Sequence, residues 1–282
     1  MIQKNIQPNS DSIKKSSKTF YISSLFFPKK IRKDVYSLYT FLRISDDYVD
    51  SSPPDYESFS KLKNATINSL SGQQSGIAHI DSFAELINRR KIDHSFVMEY
   101  FKSQDIDLFK RSYESYEELC KFVYGVADVI GIFMSYVMCL PENAFDGAKK
   151  MGHAMQLVNI IRDISEDETS GKVFLPIDEL DKFNLPKIIT EEVSNNQNSE
   201  FISFIRFQLD RSKSILHESK ESISYIPRRL KLSIKIVANI YESIIDEIYK
   251  DPTIIFRKKV KPSIFKIILI SLKQTIIWMS RI

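Results

Sequence analysis

Apolar residues recur along most of the chain at intervals of three and four, the spacing that places them on one face of an α-helix. A first helical segment begins near Ser16 and ends at Pro28, because proline cannot continue a helix. The same spacing predicts further helices over residues 29–50, 57–71, 81–91, 93–103, 114–140, 145–166, 198–222, 227–249 and 262–280. Only 7 Gly and 10 Pro occur among the 282 residues, few for a β-rich chain with many tight turns. We therefore predict an all-α fold, a single helical bundle.

Composition bounds the domain organisation and the class of protein. Residues 1–15 are predicted to be a flexible lead-in, followed by one domain over 16–282. The lead-in lacks the apolar core of a signal peptide, and the chain lacks the run of about 18 apolar residues that predicts a spanning helix. Cys120 and Cys139 have no CxxC spacing and no neighbouring His cluster, which indicates two core thiols in a reduced, cytoplasmic protein. The net charge of +4 is too small to indicate nucleic acid as a partner.

The predicted helix over 29–50 ends in an acidic motif, RISDDYVD. Between Val35 and Ile44 this helix is apolar on almost every side, which is typical of a buried helix. Asp46 and Asp50 are four residues apart and therefore lie on the same face. A buried helix thus presents two carboxylates at its end.

A second acidic motif, VNIIRDISED, follows more than a hundred residues later. At about 100° per residue, Asn159, Asp163 and Asp167 fall within an arc of about 80° on a helix. Gln156 joins this arc, and apolar residues take the opposite side. The second motif therefore repeats the arrangement of the first.

Acid-rich clusters of this kind differ from an ordinary solvated face, which mixes Lys with Glu. Like charges four residues apart destabilise a helix by ~0.2–0.5 kcal/mol per pair, so a cation is needed to offset them. Oxygen ligands in this number suit Mg²⁺, with Mn²⁺ as an alternative, held by a few carboxylates together with substrate phosphates. We therefore predict that the two motifs bind a metal and a diphosphate.

Each motif also carries one arginine. Arg43 lies one turn before Asp46, and Arg162 directly precedes Asp163. Each guanidinium can form a plain ion pair or bind a diphosphate bidentately, and we favour the second role for at least one of them. Neither GxGxxG nor GxxxxGK[ST] occurs, which argues against enzymes that use nucleoside triphosphates.

Four segments match, in order and spacing, motifs of a known protein family. RISDDYVD is similar to a first motif of the form R-x-x-D-D-x-x-D, and QLVNIIRDISEDETSGKVFLP to a second motif with its tail. SKTFYISSLFFP resembles the N-terminal segment and FVYGVADVIG the central helix of the same family, the squalene and phytoene synthases. The resemblance covers most of residues 16–260. The chain departs from the family at Ser16, where members often have His, but hydroxyls and a Lys follow.

The resemblance implies a class I isoprenoid synthase bundle, with a central cavity between two facing Asp-rich helices. It implies that the catalytic residues are Asp46, Asp50, Asp163, Asp167 and Tyr124. It also implies that Tyr241 closes the site. The implied metal ligands are Asp46, Asp50, Asn159, Asp163 and Asp167. The implied substrate-binding residues at the diphosphate and allyl ends are Ser17, Lys18, Thr19, Tyr39, Arg43, Gln156, Arg162 and Tyr241, with Tyr124 beside them.

The implied reaction is Mg²⁺-dependent head-to-head condensation of two prenyl diphosphates. Loss of diphosphate would leave an allylic cation, which must be kept dry and which aromatic faces can stabilise by ~0.5–2 kcal/mol. The second alkene would attack to give a cyclopropylcarbinyl diphosphate, which ionises and rearranges in turn. The aromatic candidates are Tyr21, Phe26, Tyr39, Phe41, Tyr124, Phe133 and Tyr136.

Three outcomes stay open. The tail GKVFLP favours phytoene, made from two geranylgeranyl diphosphates and requiring no reductant. Squalene or dehydrosqualene from farnesyl diphosphate is the alternative, and squalene alone requires NADPH. Some relatives are catalytically inactive assembly factors; degraded aspartate motifs are expected there, whereas both are intact here.

The C-terminal segment, KPSIFKIILISLKQTIIWMSRI, is strongly apolar but interrupted by Lys266 and Lys273. These lysines are seven residues apart and share one helix face with Lys259, which argues against a spanning helix. One alternative is a terminal helix packed on the bundle. The other is an interfacial helix that contacts a membrane peripherally, with lysines toward headgroups and the apolar residues Ile267, Ile268, Ile270, Ile277 and Trp278 toward acyl chains.

Two smaller features complete the prediction. Gly125 and Gly131 lie inside an apolar helix at a cost of ~1 kcal/mol each against Ala, explained either by close approach of another group or by simple tolerance. The four histidines are predicted to be structural or surface residues: His79, His94, His153 and His217.

Overall fold

The computed structural model describes residues 5–280, and the side chains of Lys18 and Thr19 lie outside what it describes. Within that range the structure is helical, with no strand and one isolated β-bridge between Ser112 and Val173. The helices are α1 Ser10–Ser16, α2 Lys18–Ser24, α3 Lys29–Val49, α4 Tyr56–Leu70, α5 Ala78–Arg89, α6 His94–Phe109, α7 Tyr116–Val123, α8 Val129–Val137, α9 Phe145–Arg162, α10 Ile164–Thr169, α11 Ile177–Lys182, α12 Glu191–Asn196, α13 Asn198–Ser219, α14 Arg228–Lys250, α15 Ile254–Arg257 and α16 Ile264–Met279. A π-helical turn, Tyr124–Asp128, joins α7 to α8, and 3₁₀ turns cover Glu142–Ala144 and Lys220–Tyr225. The all-α prediction is confirmed.

Two apolar clusters form the core. The first gathers α3 to α6 and α8 around Phe41, whose ring stacks on Phe83 at 3.8 Å between centroids. The second gathers α9, α13 and α14 around residues such as Leu157 and Phe204. Each cluster buries the apolar stripe of its helices, which no helix could bury alone. A cavity lies where residues of both clusters meet.

Glycines set how closely α9 approaches its neighbours. A Cβ on Gly131 of α8 would lie 2.3 Å from the carbonyl oxygen of Ala148, and one on Gly152 of α9 would lie 2.4 Å from that of Ala127. Gly125 is equally confined, since its Cβ would lie 2.1 Å from Ser103 Oγ. Close approach, rather than tolerance, therefore explains the glycines of this apolar helix.

The N-terminal region, predicted to be a flexible lead-in, contains a helix. Residues 10–16 form α1, because Asn9 caps it through a capping box and Ile13 is buried. Asn5 Oδ1 also accepts a 2.9 Å hydrogen bond from the backbone N–H of Ala78. Eleven residues of the predicted lead-in, 5–15, are thus described, and several contact the bundle.

The two cysteines are free, but they are not both core thiols as predicted. Cys120 is half-buried, whereas Cys139 is exposed in the turn after α8, where its backbone φ is 54°. The guanidinium of Arg90 donates to Cys139 Sγ at 2.7 Å. A small side chain at a turn was mistaken for the end of an apolar helix.

Residues 116–137 form one continuous helical stretch, long and apolar enough to cross a membrane, although no spanning helix was predicted. Just over half of its apolar window, 56%, is buried inside the bundle. Its π turn packs against α6 and α9, and α8 packs against α9. The stretch is therefore a core helix of the bundle, whose apolar character comes from being surrounded.

The C-terminal helix α16 packs on α14 and α2, in agreement with the first of its two predicted alternatives. The face buried in that contact differs from the prediction. Ile267 is buried, and Ile270, Ile277 and Trp278 are half-buried, so only Ile268 of the predicted lipid-facing set is exposed.

Candidate active site

The two acidic motifs lie at helix ends that approach the same space. Asp46 lies in the last turn of α3 and Asp50 caps its end, while Asp163 stands at the break between α9 and α10 and Asp167 lies in α10. Burial, and then the charge of Asp50, raises the pKa of Asp46 to about 7. Burial, and then the charge of Asp163, raises the pKa of Asp167 to about 7. These carboxyls crowd one another in the absence of a cation.

The predicted helix over 145–166 is broken at Asp163. This residue has φ −101° and ψ 9°, ends α9 and begins α10. The break is slight, because the N–H of Asp167 still donates to the carbonyl of Asp163 at 2.9 Å. Asn159, Asp163 and Asp167 therefore keep the common face that their spacing predicts.

The charges of a buried ion pair act on carboxyls of both motifs. Lys172 Nζ donates to Asp107 Oδ1 at 2.8 Å, and both side chains are about nine-tenths buried. Burial and the charge of Asp107 raise the pKa of Asp50, while Lys172 lowers it. The same two charges act on Asp167, which also senses Asp50. The motifs are therefore one electrostatic unit, centred on Asp107 and Lys172.

Helix α6 orients the first motif. Gln104 Nε2 donates to Asp46 Oδ1 at 2.7 Å and to Tyr100 Oη at 2.8 Å, and the hydroxyl of Tyr100 lies 3.4 Å from the same carboxylate oxygen. Both α6 side chains are buried. Both side chains therefore act on the same oxygen of Asp46, Oδ1.

The arginines take different partners. Arg162 donates to both oxygens of Asp163, at 2.8 and 2.6 Å. Arg43 forms an ion pair at 3.0 Å with Asp47 and remains about half exposed at the end of α3. Lys259, in the loop after α15, lies 3.4 Å from Asp163. Arg162, Arg43 and Lys259 thus lie against acids of the two motifs, as side chains that can also pair with phosphate oxygens.

An apolar cavity of about 350 Å³ opens beside the motifs. Residues of α2, α3, α8, α9 and α14 line it, together with the π turn and the 3₁₀ turn over 220–225. Most of its wall is carbon, and four predicted residues contribute its polar rim: Tyr39, Gln156, Asn159 and Tyr241. This is a chamber for a long apolar chain that ends in a polar group.

The rim residues are joined by hydrogen bonds. The Tyr241 hydroxyl donates to Asn159 Oδ1 at 3.3 Å, and Asn159 Nδ2 donates to Gln156 Oε1 at 3.4 Å. Burial raises the pKa of Tyr241, which keeps its proton available for donation. The ring of Tyr39 stacks on Phe20 at 4.0 Å, and both rings line the cavity.

Other predicted residues lie elsewhere. Tyr124, on the π turn, is half-buried against the first apolar cluster and is not among the described residues that line the cavity. Of the aromatic candidates, Tyr39 alone is found in that lining, and Phe41 and Phe133 are core residues. Ser17 caps α2 by accepting a 3.2 Å hydrogen bond from the N–H of Phe20. The predicted roles of Lys18 and Thr19 concern side chains outside the described part of the chain.

Several residues of the site were missed in the sequence. Tyr100, Gln104 and Asp107 lie on one face of α6, at the spacing i, i+4, i+7, and are all buried. That spacing was the available signal, but Asp107 stands in a stretch that was predicted to be a connection. Lys172 stands in the quoted GKVFLP tail and had been given no role.

His153 connects α9 to the π turn, which agrees with its predicted structural role. Its Nδ1 lies 3.0 Å from Asp128 Oδ1, and its Nε2 lies 3.2 Å from the Tyr116 hydroxyl. Burial by itself would lower the pKa of His153, but hydrogen bonds with Asp128 and Cys120 raise it to about 9.

The motif residues fit Mg²⁺ in a particular way. Among residues 5–280, no three His, Cys, Asp or Glu side chains converge closely enough to hold a metal by themselves. Each motif instead offers a carboxyl with a raised pKa, Asp46 in the first and Asp167 in the second. A bound cation would favour the charged form of both carboxyls. Mg²⁺ is commonly held by one or two carboxylates with waters and substrate phosphates. The donor set therefore fits a metal that arrives with a diphosphate.

Comparison with known proteins identifies the family. A model of the family described as squalene/phytoene synthase matches residues 13–266. The chain belongs to the squalene/phytoene synthase family. A 15-cis-phytoene synthase from Synechococcus elongatus is 26% identical over 260 residues, covering 86% of this chain and 83% of that one.

Solved structures share the squalene/phytoene synthase fold. A dehydrosqualene synthase bound to a ligand superimposes with a TM-score of 0.85 at 20% identity, over 96% of this chain and 95% of the other. A squalene synthase from Alicyclobacillus acidocaldarius gives 0.74 at 20% identity, over 86% and 92%. The resemblance stated from the motifs, and the bundle it implied, are confirmed.

Proposed function

We propose that the protein condenses two prenyl diphosphates head to head (1-1′), in a reaction that depends on Mg²⁺ and passes through a cyclopropylcarbinyl diphosphate. The observation that carries the proposal is an apolar cavity whose lining includes Asn159 of the second acidic motif. Carboxyls of both motifs also respond to the same two charges, those of Asp107 and Lys172. The diphosphates would lie at the motifs and the prenyl chains in the cavity. Family membership and relatives named as phytoene synthases support it.

We assign the metal to Asp46, Asp50, Asn159, Asp163 and Asp167. When bound there, Mg²⁺ would neutralise the charge that develops on the departing diphosphate. Arg162 and Lys259 add positive charge on the α9 side, and Arg43 on the α3 side. The pairs they form with acids can be exchanged for phosphate oxygens, which accept the same bidentate geometry.

The cavity protects the cation that departure leaves behind. Its wall is mostly carbon, so it supplies little water to quench an allylic cation. The stacked rings of Tyr39 and Phe20 present aromatic faces, worth ~0.5–2 kcal/mol to a cation in contact with them. Tyr241 and Asn159 hold the rim between diphosphate and chain through their hydrogen bond. These residues therefore bind and orient the substrate, and they exclude water from the cavity.

The substrate that we favour is geranylgeranyl diphosphate, which would give phytoene after a final proton loss. The GKVFLP tail and the names of the sequence relatives support this choice. Farnesyl diphosphate, giving dehydrosqualene or, with NADPH, squalene, is the competing substrate.

The test is product analysis by mass spectrometry after incubation with C15 or C20 diphosphate, with and without Mg²⁺ and NADPH. We expect Mg²⁺-dependent phytoene from the C20 substrate, with rate and product mass unchanged by NADPH. A product two hydrogens heavier with NADPH would indicate squalene synthesis. No consumption of either diphosphate across a Mg²⁺ titration would contradict the proposed reaction and favour a non-catalytic assembly role.

A further inference from the structure

Helix α16 presents its apolar side to the surface and its more polar side to the bundle. The side chains buried against α14 and α2 are Ile267, Ser271 and Gln274. The exposed side chains include Phe265 at 77%, Leu269 and Leu272 at 56% and Ile276 at 61% exposure. At about 100° per residue these four fall within an arc of about 60°, the apolar stripe. A helix that merely completed the bundle would turn this stripe inward.

Charge is distributed unevenly along the chain. Residues 226–282 contain twelve Lys or Arg and four Asp or Glu, a formal charge of +8. The whole chain carries +4, so residues 1–225 carry −4. The apolar stripe therefore belongs to the basic end of an otherwise acidic protein. Lys273 is exposed on its flank, and Lys266 lies near the carboxylate of Glu247.

A basic groove of about 670 Å³ lies between α14, α16 and the 3₁₀ turn over 220–225, on the face of α16 that carries Ile277 and Trp278 rather than the stripe. Arg228, Lys231 and Lys235 line it. The guanidinium of Arg228 lies 4.9 Å from the ring of Trp278, and the Trp278 Nε1–H donates to the carbonyl of Arg228 at 3.2 Å. Arginine with tryptophan beside an apolar surface matches the layer where lipid headgroups meet acyl chains.

The groove adjoins the proposed prenyl chamber. Ile223 lines both the groove and the apolar cavity. The helices that hold α16 also line the cavity: α2 contributes Phe20 and Ser24, and α14 contributes Ile234 and Tyr241. Ile223, on a short 3₁₀ turn, therefore lies where the wall of the chamber meets the wall of the groove.

We propose that α16 and the basic groove form a docking surface for a lipid bilayer that contains anionic headgroups. The apolar stripe enters the acyl region, while the groove and Lys273 contact headgroup phosphates. A second step, which rests on the proposed function, follows from the position of Ile223. The hydrocarbon product leaves the cavity past Ile223 into the bilayer, because it has no favourable route into water.

A second copy of this chain is the competing occupant of the apolar stripe. Pairing two copies through α16 would bring two segments of charge +8 together, and these would repel each other. Anionic headgroups would instead attract the one segment that contacts them. Charge complementarity therefore selects the bilayer.

Docking is tested by co-sedimentation of the full chain, without substrate, with vesicles of phosphatidylcholine alone or mixed with phosphatidylglycerol. We expect binding to the mixed vesicles that weakens with added salt. Leu269→Glu should weaken binding about ten- to hundredfold. The variant loses the burial of a leucine side chain in the acyl region, and its new carboxylate is repelled by the anionic headgroups. Lys273→Glu should weaken it about fivefold or more.

Two changes on α6 serve as matched controls. Met98→Glu places the same charge on an exposed apolar residue, and Lys102→Glu reverses an exposed lysine, both away from α16. Both should bind as the unaltered protein does, and all four variants should keep its thermal midpoint. The proposal is overturned if the unaltered chain stays in the supernatant with mixed vesicles at low salt. It is also overturned if sedimentation velocity shows a dimer that Leu269→Glu disrupts, with no vesicle binding.

Product release has a separate readout. Mixed vesicles should raise the steady-state rate without changing the first turnover, and Leu269→Glu should lose that stimulation while keeping its first turnover. Equal stimulation of Leu269→Glu and Met98→Glu would refute release through this surface. A chain that binds vesicles but turns over no prenyl diphosphate would refute the proposed reaction and leave the docking surface standing.

Discussion

At the residue scale, burial and neighbouring acids disfavour the charged form of two motif carboxyls. Asp46 and Asp167 both have a pKa of about 7, raised first by burial and then by a neighbouring aspartate. Ionising these carboxyls therefore costs stability. Such crowding is expected where a charged ligand supplies the missing counter-charge.

Because both folded-state pKa values lie above 3.8, the folded chain binds more protons than the unfolded chain between about pH 4 and pH 7. The stabilising effect of these protons is complete below pH 4 and is lost as the pH rises through 7. Each carboxyl then contributes a slope of at most about 1.4 kcal/mol per pH unit. The metal-free protein should become less stable across this window.

Asp167→Asn should make the metal-free thermal midpoint less sensitive to pH and lower condensation at least about a hundredfold, because a metal-binding oxygen and its charge are removed. Melting curves at several pH values, with an activity assay, provide the measurement. Asp181→Asn, at an exposed position of α11, is the control and should change neither property. Full activity in Asp167→Asn would remove this residue from the metal site.

The residues that the sequence revealed are those whose meaning depends on near neighbours. Asp46 with Asp50, and Asp163 with Asp167, are visible because each pair is four residues apart. Asp107 and Lys172 are 65 residues apart, and nothing local to either residue predicts that they form a buried pair. The catalytic role of Tyr124 stays a prediction, and the structure places this side chain against the first apolar cluster, on the π turn.

At the scale of elements, long amphipathic helices were predicted to within a few residues, because their periodicity extends over many turns. Helix α14, predicted over 227–249, is observed at Arg228–Lys250. The break at Asp163 and the short helices α11 and α12 were not predicted. A single turn offers too few positions for a periodicity, and contacts with other helices decide its conformation.

The helix carrying the second motif is held in place by a glycine. Gly152→Ala should destabilise the protein by about 1–3 kcal/mol, because the new Cβ would lie 2.4 Å from the carbonyl oxygen of Ala127 and push α9 from the π turn. In an unconstrained helix the same change would stabilise by about 1 kcal/mol. Urea unfolding therefore distinguishes the two by sign. A stabilised Gly152→Ala variant would show that the α9 contact is adjustable.

At the scale of the molecule, α3 to α6 and α8 belong to one apolar cluster and α9, α13 and α14 to the other, with a motif on each side. Arg162 and Lys259 act on one motif, while Arg43 acts on the other. The charges of the buried Asp107–Lys172 pair act on Asp50 of one motif and on Asp167 of the other. A ligand that bridges both motifs should therefore tie the two halves of the bundle together.

Mg²⁺ and inorganic diphosphate should consequently stabilise the protein together far more than either does alone. Neither has a complete set of partners by itself, since no three candidate side chains among residues 5–280 converge on a metal. At about a hundred times the dissociation constant, joint binding contributes about 2.7 kcal/mol, or about 5 °C or more in the thermal midpoint. Differential scanning fluorimetry with each component and with both provides the measurement.

Asp50→Asn should remove the joint effect, whereas Asp105→Asn, on the exposed side of α6, should retain it. Shifts that merely add, or a joint shift that survives in Asp50→Asn, would mean that the two motifs bind their ligands independently.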